Sequence, residues 1–469
     1  MSAQVEEPRS GELAGGPIRS EEVAPKRRSR RGRWLLGVLV AIPLAVAVLW
    51  VLVHRISWMG PLVANTLRSV IGRDNVAKLE DFVYSIEDRV NQVRKADEAP
   101  QAHWTVPPAA PTPPPPPASA AAGAEQVPAK ALLAAFEPPA PGPMFPGFSA
   151  PGDGQWVPLV DKRHPEDSPR LLKTLIHPDK SRGWAELFVV AVDLRRATVE
   201  LMAGYQEPRT EKKEAEGYQR PSKIPESDWG DLLGAFNGGF MAEHGHYGFA
   251  LDGIVFLDPK PDSCTLARYR DGSYEVATWE RIAAKQSEMT WFRQAPTCMF
   301  EDGEMHPTLK GTHQRKWGAT LDGNTVIRRS AIGMNRERTI LYVGISNHTT
   351  AKVLAQGMHH AGAQTVAQMD VNWSYPKFVT YEPNAQGVLT PIALADGFEF
   401  SDRLYLRERS MRDFFYLVRK DDEAPGTAAA TGTAAPAAPA APASSAAPAA
   451  TDAPAPTADP APAQPAEKR

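Results

Sequence analysis

The chain has 469 residues, a formal net charge of −3 and 45 prolines. A charge this close to zero excludes the basic face of a typical nucleic-acid-binding protein, so we expect no nucleic-acid partner. The prolines lie mostly in two blocks, so the folded part of the chain is shorter than its full length.

The first 53 residues are predicted to form a disordered tail and one membrane anchor. Residues 1–33 are polar and charged, whereas residues 34–53 carry no charge and can cross a hydrocarbon core of ~30 Å as a helix. The basic cluster at 26–33 predicts a cytoplasmic N-terminus. We therefore expect a single-pass protein of the inner (cytoplasmic) membrane with a periplasmic or extracellular main domain. A cleaved signal peptide is the alternative, but no small-residue cleavage site follows the apolar run.

The juxtamembrane segment, residues 54–98, contains a predicted helix at 74–95 with Asp74 as its N-cap. Its apolar residues alternate in steps of three and four, as a coiled-coil seam requires: Val76, Leu79, Val83, Ile86, Val90 and Val93. This pattern favours a homodimer through residues 76–93. Because the seam is just under three heptads long, the other interpretation is an amphipathic helix lying on the bilayer or on the folded domain.

Two segments have compositions that cannot build a core. Residues 99–153 are rich in proline and alanine and are predicted to form a semi-rigid spacer that holds the domain away from the membrane. Residues 421–469 contain no aromatic residue and no Leu, Ile or Val, so we expect a disordered tail.

Residues 154–420 have the composition of a globular domain. Apolar, β-branched runs predict strands at 187–194, 199–203, 232–236 and 340–345, and Asp-Gly pairs predict hairpin turns at 252–253, 271–272, 302–303 and 322–323. A helix is predicted at 350–361, ending before Gly362, and a strand at 365–369 leads to Asp370. The predicted fold class is α+β: a β-rich mixed domain with several antiparallel hairpins, preceded by one transmembrane helix and a proline-rich spacer.

Three stretches of this domain could carry chemistry, and each has a plainer alternative. The glycines of Asn237-Gly238-Gly239 let backbone amides approach an anion, or serve loop geometry alone. Arg315 and Arg329 flank the Asp-Gly pair at 322–323, where a hairpin would gather cations for phosphate binding or simply expose them to solvent. Asp370 ends a strand, where it could act as an acid or base or cap its own backbone.

Other candidates leave alternatives open as well. His244 and His246 form a His-x-His pair, but no third ligand is marked by spacing, so we predict no metal and no cofactor. Trp373 could stack on a sugar face or simply pack. Cys264 and Cys298 would form a disulfide in an oxidising compartment, or remain as two buried thiols.

The order of these motifs resembles the phosphodiester glycosidase family, which includes many bacterial envelope proteins. The matching pieces lie within residues 185–400, at 192–193, 236–240, 329–333, 340–345, 350–363 and from 370 onward. The resemblance implies hydrolysis of a sugar-1-phosphodiester. Carried over by position, it implies a site lined by Asn237, Gly238, Gly239, Arg329 and Asp370, with Asn237, Arg329 and Asp370 as the catalytic residues.

Beside these residues we expect further contacts to the substrate, which would be an envelope glycan or glycolipid. The additional candidates are Asn372, Trp373, Ser374, Arg315 and His246. A histidine at 244 or 246 could protonate a leaving group, although the resemblance does not imply it.

The segment that begins at Asp370 departs from the family pattern, which is typically Asp-Gly-Gly-Gly-Ser. Here it reads Asp370-Val371-Asn372-Trp373-Ser374, so the glycines that permit close backbone approach are gone. Either the pocket takes a different substrate, or the site has lost catalysis and kept binding. The leading hypothesis is a membrane-anchored envelope hydrolase cleaving a sugar-1-phosphodiester in a glycolipid or a glycan such as an exopolysaccharide. The alternatives are a non-catalytic glycan- or wall-binding module on a membrane tether and a structural envelope scaffold.

The predicted topology can be tested with alkaline phosphatase fusions, since this enzyme is active only outside the cytoplasm. We expect activity from a fusion after residue 420 and none from a fusion after residue 33, because the basic cluster keeps the N-terminus inside. Deleting residues 34–53 should move the protein from the membrane to the soluble fraction. An active fusion at residue 33, or a chain shortened at its N-terminus by processing, would contradict the anchor.

Overall fold

The computed structural model describes residues 70–107, 136–311, 324–398 and 400–420, with single positions at 39, 41, 44, 48, 66 and 317. Within these residues, no helix is both long enough and apolar enough to cross a bilayer. The tail at 1–33, the tail at 421–469, most of the anchor, residues 108–135 of the spacer, Arg315 and the turn at 322–323 lie outside them. The predictions for those segments stay predictions.

The described elements are mostly strands, with few helices. In chain order the helices are α1 (Arg73–Arg94), α2 (Lys213–Glu216), α3 (Trp279–Ile282), α4 (Pro307–Lys310) and α5 (Ala351–His360). The strands are β1 (Val157–Pro158), β2 (Leu171–Ile176), β3 (Glu186–Asp193), β4 (Ala197–Met202), β5 (Leu232–Asn237), β6 (Phe249–Leu251), β7 (Ile254–Leu257), β8 (Cys264–Tyr269), β9 (Tyr274–Thr278), β10 (Met289–Gln294), β11 (Phe300–Glu301), β12 (Glu304–Met305), β13 (Ile327–Met334), β14 (Ile340–Thr349), β15 (Thr365–Val371), β16 (Phe378–Pro383), β17 (Leu389–Ala393) and β18 (Phe414–Arg419).

These strands form three sheets. Sheet A has the order β1-β2-β3-β14-β13-β15-β11-β12, sheet B the order β17-β16-β5-β18-β4 and sheet C the order β7-β6-β10-β8-β9. Neighbouring strands within each sheet are antiparallel. Three of the predicted Asp-Gly turns connect consecutive strands: β6 to β7, β8 to β9 and β11 to β12. The prediction of a β-rich domain with antiparallel hairpins is confirmed.

Sheet A is buried on both faces, which explains the unbroken apolar run of β3. Phe188 packs into the largest core cluster with side chains of sheets B and C, whereas Leu187 packs on the other face in the cluster that includes α5. The predicted helix is confirmed as α5. The hydroxyl of Thr350 caps its start by accepting from the Val353 N–H (3.3 Å), and Gly362 follows its end at φ 116°.

Helix α1 and the ends of the spacer are packed on the domain. The guanidinium of Arg182 donates to both carboxylate oxygens of Asp88 in α1 (2.7 and 2.6 Å), and the Thr325 hydroxyl donates to Asp81 (2.7 Å). On either side of residues 108–135, His103 contacts Glu186 and Phe136 is buried in the core. The folded unit therefore begins well before residue 154, and the spacer does not separate α1 from the domain.

Most apolar side chains of α1 face away from this contact. Those exposed by 44% to 80% are Leu79, Phe82, Ile86, Val90 and Val93. The other two members of the predicted seam differ, because Val76 is buried and Val83 is half-buried. The helix begins after Gly72, so Asp74 lies in its first turn and does not cap it. Of the two interpretations of the seam, the structure shows packing on the domain through the polar face, and the homodimer stays a prediction.

The two cysteines are joined by a disulfide. Their Cα atoms lie 4.7 Å apart, and the bond links the start of β8 to the segment that precedes β11. Between the two alternatives that the sequence left open, the structure therefore shows the disulfide.

We expect the double variant Cys264→Ala/Cys298→Ala to lose about 2–4 kcal/mol in its free energy of unfolding, because the cross-link restricts the unfolded chain. Urea denaturation of the full chain in a non-ionic detergent measures this loss. Dithiothreitol should lower the wild-type midpoint and leave that of the variant unchanged. A wild-type midpoint that does not respond to the reductant would contradict the disulfide.

Candidate functional site

The candidate site lies where ends of β5, β16 and β18 in sheet B meet the end of β15 in sheet A. Asn237 ends β5 and is held by the segment before β16: its N–H donates to the carbonyl of Lys377 (3.2 Å), and its Oδ1 accepts from the Lys377 N–H (3.1 Å). Asn237 is 1% exposed. These bonds leave its Nδ2 directed across the gap between the two sheets.

Ser330 bridges this gap and joins Asn237 to Asp370. The Asn237 Nδ2 donates to the Ser330 hydroxyl (2.8 Å), which donates to the backbone carbonyl of Asp370 (3.1 Å). All three residues are buried. The structure therefore brings together Asn237 and Asp370, which lie far apart in the sequence. Ser330 belongs to a motif quoted for the resemblance but was not predicted as a site residue.

The carboxylate of Asp370 is held on one side. Its Oδ2 accepts from Arg412 Nη1 (2.6 Å) and from Asn372 Nδ2 (2.5 Å). Arg412 also donates to the carbonyl of Gly239 (2.7 Å) and lies 3.8 Å from the ring centre of Tyr375. Burial opposes the charge of Arg412, but the combined interactions with Asp370, Tyr375 and Asp413 outweigh it and raise the pKa of Arg412. The cation beside Asp370 is thus a residue that the sequence did not single out.

The amides of the glycine loop point at Asp413. The Gly238 N–H donates to the Asp413 carbonyl (3.0 Å) and the Gly239 N–H to its Oδ2 (3.1 Å), which also accepts from Arg293 Nε (2.8 Å). A Cβ on Gly238 would lie 2.3 Å from the Asp413 carbonyl oxygen, so only glycine permits this approach. Only the Gly239 amide meets a carboxylate, because the Gly238 amide bonds to a backbone carbonyl, and both partners belong to Asp413. An anion nest for a substrate, with contacts at Gly238 and Gly239, stays a prediction.

Arg329 is fully buried and faces away from Ser330, because adjacent strand residues point to opposite faces. Its guanidinium donates to the carbonyls of Trp317 (2.7 Å), Thr325 (2.9 Å) and Thr349 (3.1 Å), and to Oε1 of Gln368 (3.1 Å). These bonds hold the segment before β13 against sheet A. A catalytic role for Arg329 stays a prediction, and the contacts described here are structural.

Trp373 occupies the outer side of the site. The guanidinium carbon of Arg328 lies 5.6 Å from its ring centre, and the ring of His348 lies 4.9 Å away. Tyr84 of α1 packs against the same cluster, which contains Phe240 and other apolar side chains. Trp373 is half-buried, and it packs in the same cluster as Tyr84 of α1.

The remaining predicted residues differ in their placement. Asn372 shapes the loop, because its Oδ1 accepts from the N–H groups of Ser374 (2.9 Å) and Tyr375 (2.6 Å). His246 is exposed, and its side chain makes no hydrogen bond to the Asp370 cluster. Among the described residues, no group of three or more His, Cys, Asp or Glu could hold a metal ion.

Lys377 is a further site residue that the sequence did not mark. Its side chain is half-buried. Burial, together with repulsion by Arg328 and Arg412, lowers the pKa of Lys377 to about 8 against the attraction of Glu408. The only sequence signal for Lys377 and Arg412 is a cation one or two residues before an apolar strand, and this is too common to single out a site.

No protein-family model matches the chain, and no curated protein matches it. Among solved structures, the catalytic domain of zebrafish N-acetylglucosamine-1-phosphodiester alpha-N-acetylglucosaminidase, auto-inhibited by its pro-peptide, is 14% identical, with 56% of this chain and 88% of that chain covered and a TM-score of 0.35. A hypothetical protein from Synechocystis is 10% identical, with 55% and 65% covered and a TM-score of 0.31. Scores this low carry no argument about activity.

Acid stability should depend on His348. Burial, together with repulsion by Lys95, Arg328 and Arg182, lowers the pKa of His348 to about 4 against the attraction of Asp88. The unfolded histidine takes up its proton near the ordinary value of 6.5, so stability is complete above that pH and falls as the pH drops towards 4. Between pH 7 and pH 4 we expect the free energy of unfolding to fall by about 1–2 kcal/mol less in His348→Asn than in the wild type. This figure allows for the partial exposure of the ring.

Urea denaturation between pH 7 and pH 4 measures the difference, and asparagine suits the left-handed backbone of residue 348 (φ 54°). The exposed His244→Asn variant is the control and should follow the wild type. Equal acid sensitivity in His348→Asn and wild type would show that His348 does not titrate in this window.

Proposed function

We propose that this domain is an envelope hydrolase of the phosphodiester glycosidase type, which cleaves a sugar-1-phosphodiester in a cell-envelope glycan or glycolipid. The observation that carries the proposal is the setting of Asp370: its carboxylate is paired with Arg412, and its backbone carbonyl is connected through Ser330 to Asn237. Two residues that the resemblance assigns to one site therefore share one hydrogen-bonded network.

The proposed chemistry rests on the two oxygens of Asp370. Arg412 and Asn372 hold Oδ2, whereas no described residue donates to Oδ1. One oxygen is thus fixed in place, and the other is left to act on the anomeric carbon or on a water molecule. Because a phosphate monoester is a weak base, it can leave with less help from a general acid than a sugar hydroxyl needs. One carboxylate is therefore sufficient for the proposed reaction.

The proposed location is the outer side of the inner membrane. The uncharged segment at 34–53 and the basic cluster before it support an anchor with this orientation. The disulfide between Cys264 and Cys298 supports the same side, since disulfides persist in oxidising compartments.

The second candidate function is a membrane-tethered module that binds an envelope glycan without cleaving it. The observation that favours it is the outer side of the site, where Val371 and Trp373 stand in place of the expected glycines and pack in one cluster with Tyr84. Such packing restricts the approach of a substrate backbone, while an aromatic ring beside a polar cluster suits a sugar face.

Sugar release from a panel of sugar-1-phosphodiesters and from envelope extracts tests the hydrolase. We expect the full chain in non-ionic detergent to release sugar, and Asp370→Asn to lower kcat by about 10²–10⁴-fold, because it removes the reacting carboxylate. Arg412→Lys should lower kcat less, since a cation remains beside Asp370 but the forked guanidinium that also reaches the Gly239 carbonyl is lost.

The exposed turn variant Asp271→Asn is the control and should retain full activity. Release that persists in Asp370→Asn would overturn the assignment of Asp370. Retention of an envelope glycan by the folded protein with no release would favour the binding module instead.

A further inference from the structure

Helix α1 presents a stripe of exposed apolar side chains along its outer face. The members of this α1 stripe are exposed by 44% to 80%: Leu79, Phe82, Ile86, Val90 and Val93. At about 100° per residue, all five fall within roughly 80° of the helix circumference. Exposed apolar residues scattered singly are ordinary, whereas a continuous stripe on one face of a helix marks an interaction surface.

The charged residues of α1 are divided between two sides of the helix. Over residues 78–94, the exposed charged residues are all cations: Lys78, Arg89 and Arg94. By helical spacing, Lys78 and Arg89 lie along one border of the α1 stripe and Arg94 along the other. The acidic residues of the same range are all half-buried: Glu80, Asp81, Glu87 and Asp88. The outer face therefore combines an apolar centre with a positive border.

Two of the acidic residues fix the opposite face of α1 to the domain. Asp88 accepts from Arg182 through both carboxylate oxygens (2.7 and 2.6 Å), and Asp81 accepts from the Thr325 hydroxyl (2.7 Å). The Arg182 and Asp88 side chains are 16% and 14% exposed, so the pair is largely shielded from solvent. Because rotation of the helix would break both contacts, the α1 stripe is held pointing away from the domain.

The position of α1 in the chain keeps this helix close to the predicted anchor. Residues 54–72 connect the anchor at 34–53 to the start of α1. A chain of this length spans about 25 Å as a flexible coil and about 30 Å as a helix. Helix α1 itself, with 22 residues, is about 33 Å long. The α1 stripe therefore stays within reach of the bilayer, which raises the effective concentration of lipid at this surface.

We infer that the exposed face of α1 lies on the bilayer surface and binds anionic phospholipids. The α1 stripe enters the boundary between headgroups and acyl chains, and the bordering cations contact lipid phosphates. Since Asp81 and Asp88 fix α1 to the domain, the folded domain lies against the membrane and is not held away from it by the spacer. The inference rests on the predicted anchor and is independent of sugar release.

The structure favours the bilayer over a second copy of the chain as the occupant of this face. Val76 is buried and Val83 is half-buried, so part of the predicted coiled-coil seam is not open to a partner helix. Two copies packed through the α1 stripe would also bring their cationic borders together, and like charges repel. An anionic headgroup surface covers the same apolar side chains and matches those charges.

The experiment places a fluorescent label at residue 90 of the full chain, reconstituted in lipid vesicles. The introduced thiol of Val90→Cys can be labelled alone, because Cys264 and Cys298 are joined in a disulfide. The vesicles are phosphatidylcholine with or without anionic phosphatidylglycerol, and they contain lipids brominated on the acyl chains, which quench fluorophores inserted beside them. We expect quenching at least about twofold greater in the anionic vesicles, because the bordering cations favour an anionic surface.

A label at Arg336→Cys is the position control. Arg336 is exposed and follows the end of β13, whereas Thr325, which contacts α1, precedes the start of that strand. The two positions therefore lie at opposite ends of β13, and the label at residue 336 should not be quenched.

Charge reversal tests the part of the cations. Lys78→Glu/Arg89→Glu in the labelled chain should lower the quenching in anionic vesicles to the level in neutral vesicles, because the border then repels the headgroups. Lys213→Glu/Lys310→Glu is the matched control, since it makes the same change of net charge at exposed lysines of α2 and α4. This variant should be quenched as strongly as the unmodified labelled chain.

An unquenched label at residue 90, or quenching that survives the reversal of Lys78 and Arg89, would overturn the inference. An unquenched label together with oxidative cross-linking of Val90→Cys between two copies would assign the α1 stripe to the homodimer instead. The alkaline phosphatase fusions test the anchor separately, and neither result depends on sugar release. Failure of this membrane contact is therefore distinguishable from failure of the anchor or of the hydrolase.

Discussion

The adjacent residues Arg412 and Asp413 connect the three sheets, and the candidate site depends on them. Just before β18 of sheet B, Asp413 pairs with Arg293 of sheet C (2.8 Å), and Arg412 pairs with Asp370 of sheet A (2.6 Å). All these side chains are almost fully buried, and losing one member of a buried pair costs about 3–5 kcal/mol because the other charge is left unmatched. Two adjacent residues therefore tie sheet B to two different sheets.

This arrangement explains why the site is built from internal contacts. Asp413 also accepts from the Gly239 amide, so the glycine loop is part of the structural network and not an open cradle. Asp370 is fixed through Oδ2 by Arg412.

Helix α1 shows that a sequence pattern can predict a helix correctly without predicting what the helix packs against. The apolar spacing predicted a helix, and α1 spans Arg73–Arg94. Its contacts with the domain are made by Asp81 and Asp88 on the opposite face, with Tyr84 packed near Trp373. Spacing alone says which residues share a face of a helix. It does not say which face contacts the domain. A polar face can pack against the domain when residues of a distant segment form ion pairs with it.

The sequence by itself determined the elements whose cause is local. The apolar β-branched runs became β3, β5 and β14, and Thr350 with Gly362 bounded α5. Three of the four Asp-Gly pairs became hairpin turns, since Asp and Gly accept the backbone of tight turns. The prediction that Asn237 and Asp370 share a site came from motif order, and the Ser330 bridge supports it.

Only the tertiary structure decided which charges meet. Arg329 and Arg412 are both cations in or beside strands, yet Arg329 holds carbonyls and Arg412 holds Asp370. That difference depends on sheet order and on the face of the strand. An ion pair between residues 42 positions apart, such as Arg412 and Asp370, produces no local pattern in the sequence. The physical reason is that ion pairs form through space, whereas periodicity records only neighbours in sequence.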